Sequence, residues 1–132
     1  MIPIQVVAGI LQRENRILIA QRPPGKPYSG FWEFPGGKIE QNESGEHALR
    51  RELYEELGIE VSNAKLLFHH EYTYPDKMVH LQVWYVLHFS GEPHSKENQA
   101  LNWVTFAEMG QLNLLEGNGS IVDKLQKIGT PI

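Results

Sequence analysis

Eight glutamates are concentrated in residues 32–60, a short stretch of this 132-residue chain. They make up half of its sixteen acidic residues: Glu33, Glu40, Glu43, Glu46, Glu52, Glu55, Glu56 and Glu60. Carboxylates that share a helix face repel each other, so their concentration raises the question of a cationic partner. Carboxylate oxygens suit a hard divalent cation such as Mg²⁺ or Mn²⁺. The chain has no cysteine, so any metal site must use oxygen or imidazole ligands.

The centre of this stretch is predicted to be a helix over residues 45–57. Ser44 is a suitable N-cap, Gly58 follows the end, and apolar residues recur at spacings of three and four. Three glutamates stand at i, i+3 and i+4 on a neighbouring face: Glu52, Glu55 and Glu56. Taken alone, such a helix favours a solvated acidic face, with a salt bridge from Arg51 to Glu55, over a metal site.

The spacing of residues 37–59 outweighs that interpretation. The stretch is a glycine, five residues, a glutamate, seven residues, REL, one residue, EE, one residue and GI. This pattern meets every fixed position of the Nudix box, and a chance match has a probability on the order of 10⁻⁷. The chain is therefore identified as a member of the Nudix family. Segments that resemble the MutT group of that family follow in the same order over nearly the whole chain: VAGIL, AQR, EFPGGKIE, EYTYPD, GEPHSKENQ and GNGSIVDKL.

The resemblance implies both a fold and an activity. The expected fold is α/β, the Nudix fold, an α/β/α sandwich around a mixed β-sheet, and we expect residues 1–132 to form one domain. The expected activity is metal-dependent hydrolysis of a nucleoside triphosphate to the monophosphate and pyrophosphate. For the MutT group the substrate is 8-oxo-dGTP, and the role is nucleotide-pool sanitation that supports DNA repair.

Metal ligands are carried over from the family residue by residue. The resemblance implies that the Gly36 carbonyl, Glu52 and Glu56 bind Mg²⁺ or Mn²⁺, with Glu55 assisting. Glu97 matches an additional carboxylate that the MutT group supplies from a loop. Either Glu52 or Glu97 would be the general base, and the sequence does not choose between them.

Two further charged residues of the box are given supporting roles by the resemblance. Arg51 would orient a glutamate rather than contact the substrate. Glu43 would hold the geometry between the loop and the helix. The alternative for Glu43 is an exposed first-turn glutamate that the helix dipole favours.

Four residues are candidates for binding the nucleotide. Asn118 matches an asparagine that contacts the base, and its amide can donate to O6 and accept from N7–H of 8-oxoguanine, whereas N7 of guanine has no hydrogen. The alternative is that Asn118 only caps the last helix. Arg22 matches an arginine near the nucleotide, or is a surface residue. Phe34 lines or stacks in the base pocket, or belongs to the core. Lys38 contacts phosphate, or is solvated.

The remaining elements are predicted from hydrophobic periodicity and turn residues. Residues 2–11 and 16–22 are typical of a hairpin, and residues 31–34 of a strand that stops at Pro35-Gly36-Gly37. Further strands are predicted at 65–74, 78–89 and 101–106, and a helix at 118–128. The histidines, including the adjacent pair His69 and His70, are interpreted as surface or packing residues.

Composition limits the remaining function classes. A net charge of −4 argues against non-specific binding to long nucleic acid, although it permits a nucleotide that brings its own cation. The N-terminus shows neither a signal peptide nor a membrane span, so we expect a cytoplasmic protein, and a monomer. Two alternatives to the 8-oxo-dGTP activity stay open. One is a CTP or modified-dCTP pyrophosphohydrolase of the same family, and the other is a non-catalytic nucleotide-sensing module, which usually lacks some box glutamates.

Overall fold

The computed structural model describes residues 2–97, 99–115 and 118–128. Its strands are β1 (Ile4–Ile10), β2 (Gln12–Arg13), β3 (Arg16–Gln21), β4 (Trp32–Glu33), β5 (Gly36–Lys38), β6 (Glu60–Tyr74), β7 (Lys77–Ser90) and β8 (Leu101–Val104). Its helices are α1 (Gly45–Leu57), α2 (Phe106–Met109) and α3 (Asn118–Ile128). The predicted bounds of α1 and α3 are therefore confirmed.

The larger sheet is mixed. Its strand order is β5-β1-β7-β6, with β1 parallel to β7 and the other neighbours antiparallel. A second sheet is centred on β3, which pairs antiparallel with β2, β4 and β8. Alternate residues of each strand face opposite sides, so each sheet has two faces. Helices cover both of these faces. This arrangement is the expected α/β fold.

Two apolar clusters show how the helices cover the sheets. On one side Leu49, Leu53 and Leu57 of α1 pack with Val7 and Leu11, and all five are essentially buried. On the other side, residues from α3 pack with alternate residues of the first and third strands: Ile121, Val122 and Leu125 with Ala8, Ile10, Ile17 and Ile19. The face of α1 that is not packed in this way carries the acidic residues.

The predicted hairpin of residues 2–11 and 16–22 is wrong for its first strand. β1 pairs with β5 and β7, and only the short β2 forms a hairpin with β3. The chain passes from one sheet to the other after Ile10, and Leu18 N–H donates to the Leu11 carbonyl at this junction. Local periodicity identified the strands correctly but does not specify which strand each one pairs with.

Besides β2, two short elements were missed by the sequence prediction. Gly36–Lys38, expected to end a strand, forms β5 against Val6–Ala8 of β1. A side chain at Gly36 would collide with the Val7 backbone, so this close approach of two strands requires glycine. Residue Phe106, expected in a strand, begins α2, which Thr105 and Glu108 start with a capping box.

Candidate active site

Helix α1 begins and ends where its capping residues lie. The Ser44 side chain accepts a hydrogen bond from His47 N–H, and Gly58 has a φ of 70° and donates to the Tyr54 carbonyl. A residue with a side chain would be strained at that φ, so Gly58 is well suited to end the helix. These two ends fix which residues of α1 face the core and which face the site.

Arg51 lies at the centre of the charged residues on α1. Its Nε and Nη2 donate to the two carboxylate oxygens of Glu43, at 2.8 and 2.9 Å. Its Nη1 donates to Glu52 at 2.8 Å, and Nη2 also donates to the Lys38 carbonyl at 2.9 Å. A bidentate arginine–carboxylate pair is geometrically specific. Arg51 therefore holds the loop before α1 and the Glu52 carboxylate in one arrangement.

Glu43 is a partner in that arrangement rather than a solvated side chain. Only 7% of its side chain is exposed, and it also accepts from the Glu40 backbone N–H at 3.0 Å. The hydrogen bonds from Arg51, followed by the Glu40 N–H, hold the pKa of the Glu43 carboxyl well below its usual range. Glu43 thus remains charged at neutral pH and ties residues 38–43 to α1.

Glu56 is a buried carboxylate, with 8% of the residue exposed. Its Oε2 accepts a hydrogen bond of 3.1 Å from the Gly36 N–H. Burial, followed by the charges of Glu52, Glu97 and Glu33, raises the pKa of Glu56 to about 9. A buried carboxyl group in such surroundings is costly to ionise unless a cation lies nearby.

Glu52 lies between α1 and the glycine pair. A side chain at Gly37 would collide with the Glu52 carboxylate, so the glycine leaves room beside these oxygens. Burial raises the pKa of Glu52, Arg51 opposes this effect, and Glu55 and Glu97 add to it. Glu55 is half-exposed on the same face, with its carboxylate 3.5 Å from Arg51.

The loop before β8 carries Glu97 to the same place. Lys96 N–H donates to the Glu56 carbonyl at 3.0 Å, and His94 N–H donates to the Leu57 carbonyl at 3.0 Å. These bonds use carbonyls at the end of α1 that have no partner within the helix. The charge of Glu97 consequently acts on both Glu52 and Glu56.

The donor set fits a hard divalent cation, although its ligands are not closed around a point. Neighbouring carboxylates whose pKa values are raised by burial and by each other would be stabilised by a positive ion. Because Gly37 has no side chain, the Glu52 carboxylate can lie against the backbone of β5. In residues 2–97, 99–115 and 118–128, no three histidine, aspartate or glutamate side chains form a ready metal-binding group. Glu52, Glu56 and Glu97 would have to come closer together to share one ion.

A cavity of about 490 Å³ begins at this site. Its wall contains all four candidate substrate residues and two of the candidate metal residues: Arg22, Phe34, Lys38, Asn118, Gly36 and Glu56. Arg51, Glu52, Glu55 and Glu97 are not among the residues of this wall. A cavity of this volume is in the range that binds small ligands.

Asn118 is the first residue of α3, and its side chain reaches across the cavity wall. Its Oδ1 accepts a hydrogen bond of 3.3 Å from the Phe34 N–H, and its own N–H donates to the Leu115 carbonyl. The bond to Phe34 assigns the orientation of the amide, with Oδ1 towards the backbone. Phe34 itself is buried, with 4% exposed.

The NUDIX domain model matches residues 6–124, which is most of the chain. This chain belongs to the Nudix family. The box sequence and the α/β/α layers described above are therefore those of a Nudix hydrolase, an enzyme family that generally requires a divalent metal. A nucleotide substrate is consistent with that membership.

Individual Nudix relatives are similar over most of their length. A CTP pyrophosphohydrolase from Escherichia coli is 43% identical over 111 residues, which cover 84% of this chain and 82% of the relative. An 8-oxo-dGTP diphosphatase from the same organism is 35% identical over 126 residues, covering 95% and 98%. The solution structure of the E. coli ORF135 protein superposes with a TM-score of 0.86 at 38% identity, covering 98% of this chain and 93% of that protein.

Several residues on the wall of the 490 Å³ cavity were missed by the sequence analysis. Glu33 lines the cavity and forms a salt bridge of 3.0 Å with Arg22, which also donates to the Pro27 carbonyl. Lys77 and Gln99 line it as well. The position of Glu33 on the cavity wall depends on the contacts of β4 with β3 and with residues 113–115. The alternation of strand residues does not predict those contacts.

Among the residues that the structure describes, no helix combines the length and the apolarity needed to cross a bilayer.

Proposed function

We propose that this protein hydrolyses nucleoside triphosphates to the monophosphate and pyrophosphate with Mg²⁺, and that 8-oxo-dGTP is its preferred substrate. The observation that carries the proposal is the shared cavity wall. Candidate residues from three separate stretches, 22–38, 56 and 118, line one space of about 490 Å³. Their predicted roles differ, and their meeting in one cavity supports a single ligand that has a base at one end and phosphates at the other.

The acidic end would hold the metal. Glu52, Glu56 and the Gly36 carbonyl are the proposed ligands, with Glu55 and Glu97 nearby. A divalent cation bound there would offset the charge of the phosphates and activate water for attack. Glu52 or Glu97 would accept the proton of that water, since both lie among the charges that raise the pKa of Glu56. Arg51 would act through Glu52, which it orients at 2.8 Å.

The cationic part of the wall would face the phosphates. Lys38, Lys77 and Arg22 all line the cavity, and their charge complements a triphosphate. Arg22 is already paired with Glu33, so part of its charge is offset before any ligand binds.

Asn118 would select the base. With Oδ1 held towards the Phe34 N–H, the second lone pair of Oδ1 is available for N7–H of 8-oxoguanine, and Nδ2 for O6. Guanine, which has a lone pair at N7, would leave that acceptor unpaired. An unpaired buried polar group can reject a substrate strongly.

A CTP pyrophosphohydrolase is the second candidate. It is favoured by the 43% identity to the E. coli CTP pyrophosphohydrolase, which exceeds the identity to the E. coli 8-oxo-dGTP diphosphatase. The carboxylate of Glu33 on the cavity wall is also the type of group that accepts from the cytosine amine. The amine of guanine would suit it equally, so Glu33 alone does not separate the two substrates.

The decisive experiment measures pyrophosphate release from 8-oxo-dGTP, dGTP, CTP and dCTP, with Mg²⁺ and with EDTA. The proposal expects the highest kcat/KM for 8-oxo-dGTP and no release in EDTA. A higher kcat/KM for CTP would replace the first candidate by the second. Glu52→Gln should lower kcat at least ~10²-fold. Glu46→Gln, on the same helix but paired with Arg50, is the matched control.

The bond that is cut can be tested separately. By analogy with the MutT group, water would attack the β-phosphorus, so hydrolysis in ¹⁸O-labelled water should place the label in pyrophosphate. Label in the monophosphate would indicate attack at the α-phosphorus, and orthophosphate as the first product would exclude the proposed reaction.

The proposal also covers the cellular location and the oligomeric state of the protein. We infer a cytoplasmic monomer without stable nucleic-acid binding. The inference is supported by the substrate, which belongs to the nucleotide pool, by the net charge of −4, and by the origin of all candidate site residues in one chain.

A further inference from the structure

Two histidines on the hairpin of β6 and β7 bring their ring nitrogens close together. Nδ1 of His69 is 3.0 Å from Nε2 of His80, and the ring centroids are 5.1 Å apart. The strands are antiparallel neighbours, in which Gln82 stands opposite His69 and Glu71 stands opposite His80. His69 and His80 are therefore diagonal neighbours on one face of the sheet, where long side chains can meet.

This histidine pair lies outside the candidate active site. Val79 and Leu81, the neighbours of His80 in β7, line the 490 Å³ cavity, and neither His69 nor His80 belongs to its wall. Because alternate residues of a strand face opposite sides, His80 lies on the other face of the sheet from that cavity. A ligand of the histidine pair would therefore be separate from the proposed nucleotide and its Mg²⁺.

The distance between the two nitrogens suits two ligands of one metal ion. Imidazole nitrogens at about 2.0–2.1 Å from an ion are roughly 3.3 Å apart in a tetrahedral site, and roughly 2.9 Å apart as neighbours in a square-planar site. The observed 3.0 Å lies between these values. The nitrogens face each other across a hydrogen bond, so the exposed ring of His69 would have to turn to direct its lone pair at a shared ion.

Glu71 gives His80 the support that a metal-binding histidine commonly has. Its Oε1 is 4.0 Å from Nδ1 of His80, the ring nitrogen that is not used towards His69. The negative charge favours the tautomer with hydrogen on Nδ1, which leaves the lone pair of Nε2 available. Metal-ligating histidines often direct their second ring nitrogen at a carboxylate in this way.

We propose that His69 and His80 form a binding site for a transition-metal ion of the Zn²⁺ or Cu²⁺ type, with Glu71 as the positioning carboxylate. Imidazole suits these ions, whereas Mg²⁺ prefers oxygen ligands. The site is reachable, since His69 is exposed and 28% of the His80 side chain is accessible. In the described part of the chain no third histidine, aspartate or glutamate completes the group, so water fills the other positions. The ion links β6 to β7, and the ring hydrogen of His69 moves to its own Nε2.

Calorimetric titration with Zn²⁺ and with Cu²⁺, in excess Mg²⁺ that occupies the carboxylate site, tests the proposal. We expect one such ion per chain in wild type, and tighter binding of Cu²⁺ than of Zn²⁺. Glu71→Gln should weaken Zn²⁺ binding about 10-fold, the scale expected of a supporting carboxylate. His69→Ala and His80→Ala should each weaken it more than Glu71→Gln does.

His88→Ala is the matched control, because His88 is an exposed histidine of the same strand β7. Zn²⁺ should raise the melting temperature of wild type and of His88→Ala, since it binds the folded protein, but not that of His69→Ala or His80→Ala. Without added Zn²⁺ all four proteins should melt at similar temperatures, which separates loss of the ion from loss of the fold.

Nuclear magnetic resonance locates the ion independently of affinity. Paramagnetic Cu²⁺ at less than one equivalent should broaden the amide resonances around His69 and His80 before those around His88 or Glu56. Broadening that begins elsewhere would overturn the proposal. Equal Zn²⁺ affinities in wild type, His69→Ala and His80→Ala would overturn it as well, whether or not the protein releases pyrophosphate.

Discussion

The carboxylate of Glu56 accepts a hydrogen bond of 3.1 Å from the backbone N–H of Gly36, which joins α1 to strand β5 at the cavity wall. This neutral donor only partly offsets burial and the charges of Glu52, Glu97 and Glu33. The pKa of Glu56 is therefore raised to about 9. The metal-free protein is thus expected to hold a proton here at neutral pH.

That proton makes stability depend on pH in a defined direction. Between about pH 4.5 and 9 the unfolded chain has lost the Glu56 proton while the folded protein retains it. The free energy of unfolding should then fall as pH rises, by up to about 1.4 kcal/mol per pH unit from this group. Thermal unfolding in EDTA should show this slope in wild type, and Glu56→Gln should reduce it. Parallel pH profiles for the two proteins would contradict the assignment.

Binding of Mg²⁺ should release that proton, because a metal ligand must be ionised. Calorimetry at pH 7 in two buffers of different ionisation enthalpy measures the release directly. We expect close to one proton per site in wild type and less in Glu56→Gln.

Gly37→Ala tests the space beside Glu52. A Cβ at this position would collide with the Glu52 carboxylate and displace it from the site. Activity should fall at least ~10²-fold, the scale expected when a metal or general-base contribution is lost. Gly110→Ala is the matched control, because its Cβ would meet only the Ala107 carbonyl at 3.5 Å, an ordinary contact. Steady-state kinetics decides, and a fully active Gly37→Ala would mean that Glu52 does not need this space.

Arg51→Lys should weaken both the site and the fold. Lysine keeps the charge but cannot donate through Nε and Nη2 to Glu43 while also reaching Glu52. We expect lower kcat and a lower melting temperature, with a much smaller effect of Arg50→Lys, whose pair with Glu46 is half-exposed.

Glu43→Gln tests the Arg51–Glu43 pair through the pH dependence of stability. The pKa of Glu43 is held below its usual range, so its stabilising effect is present above about pH 4.5 and is lost as pH falls towards the lowered value. Wild type should lose stability on acidification more steeply than Glu43→Gln in urea unfolding. If both proteins lose the same free energy of unfolding on acidification, the Arg51–Glu43 pair does not stabilise the fold.

Asn118→Ala should reduce base selectivity while leaving the metal residues intact. One bidentate contact is worth roughly 1–3 kcal/mol, so the preference for 8-oxo-dGTP over dGTP should fall about 5- to 150-fold. Asn118→Asp should do worse than alanine on 8-oxo-dGTP, because it replaces the donor to O6 with an acceptor. Asn102→Ala, an exposed asparagine of β8, is the control. Retained preference in both variants would show that Asn118 does not read the base and only caps α3.

The fold was predictable where local signals suffice. Ser44 and Gly58 fixed both ends of α1, since capping depends on neighbours only a few residues away. The pairing of β1 with β7, and not with β3, was not predictable in this way. It joins residues more than seventy positions apart, such as Ile4 with Val79, and their hydrophobic pattern suits several partners.

The site was predictable in its residue types but not in its contacts. The box placed Glu52, Glu55 and Glu56 on one face, as the helical period requires. The box could not show that Arg51 donates to Glu43, eight positions earlier in the chain, or that Lys96 N–H donates to the Glu56 carbonyl. His70 was interpreted as a surface or packing residue, and its contact with Lys124 could not be foreseen because it forms only when β6 and α3 pack together.

The two backbone N–H groups of Phe34 and Gly36 bind opposite ends of the site: one holds Asn118, and the other holds Glu56. They are only two residues apart, so they span at most about 7 Å. One inserted or deleted residue between them would misplace the base-reading and metal-binding ends together. An insertion in residues 91–95 would instead disturb the bonds of His94 and Lys96 to the end of α1, and with them the approach of Glu97. The short Phe34–Gly36 segment is therefore the part of the site where a change of length is least tolerable.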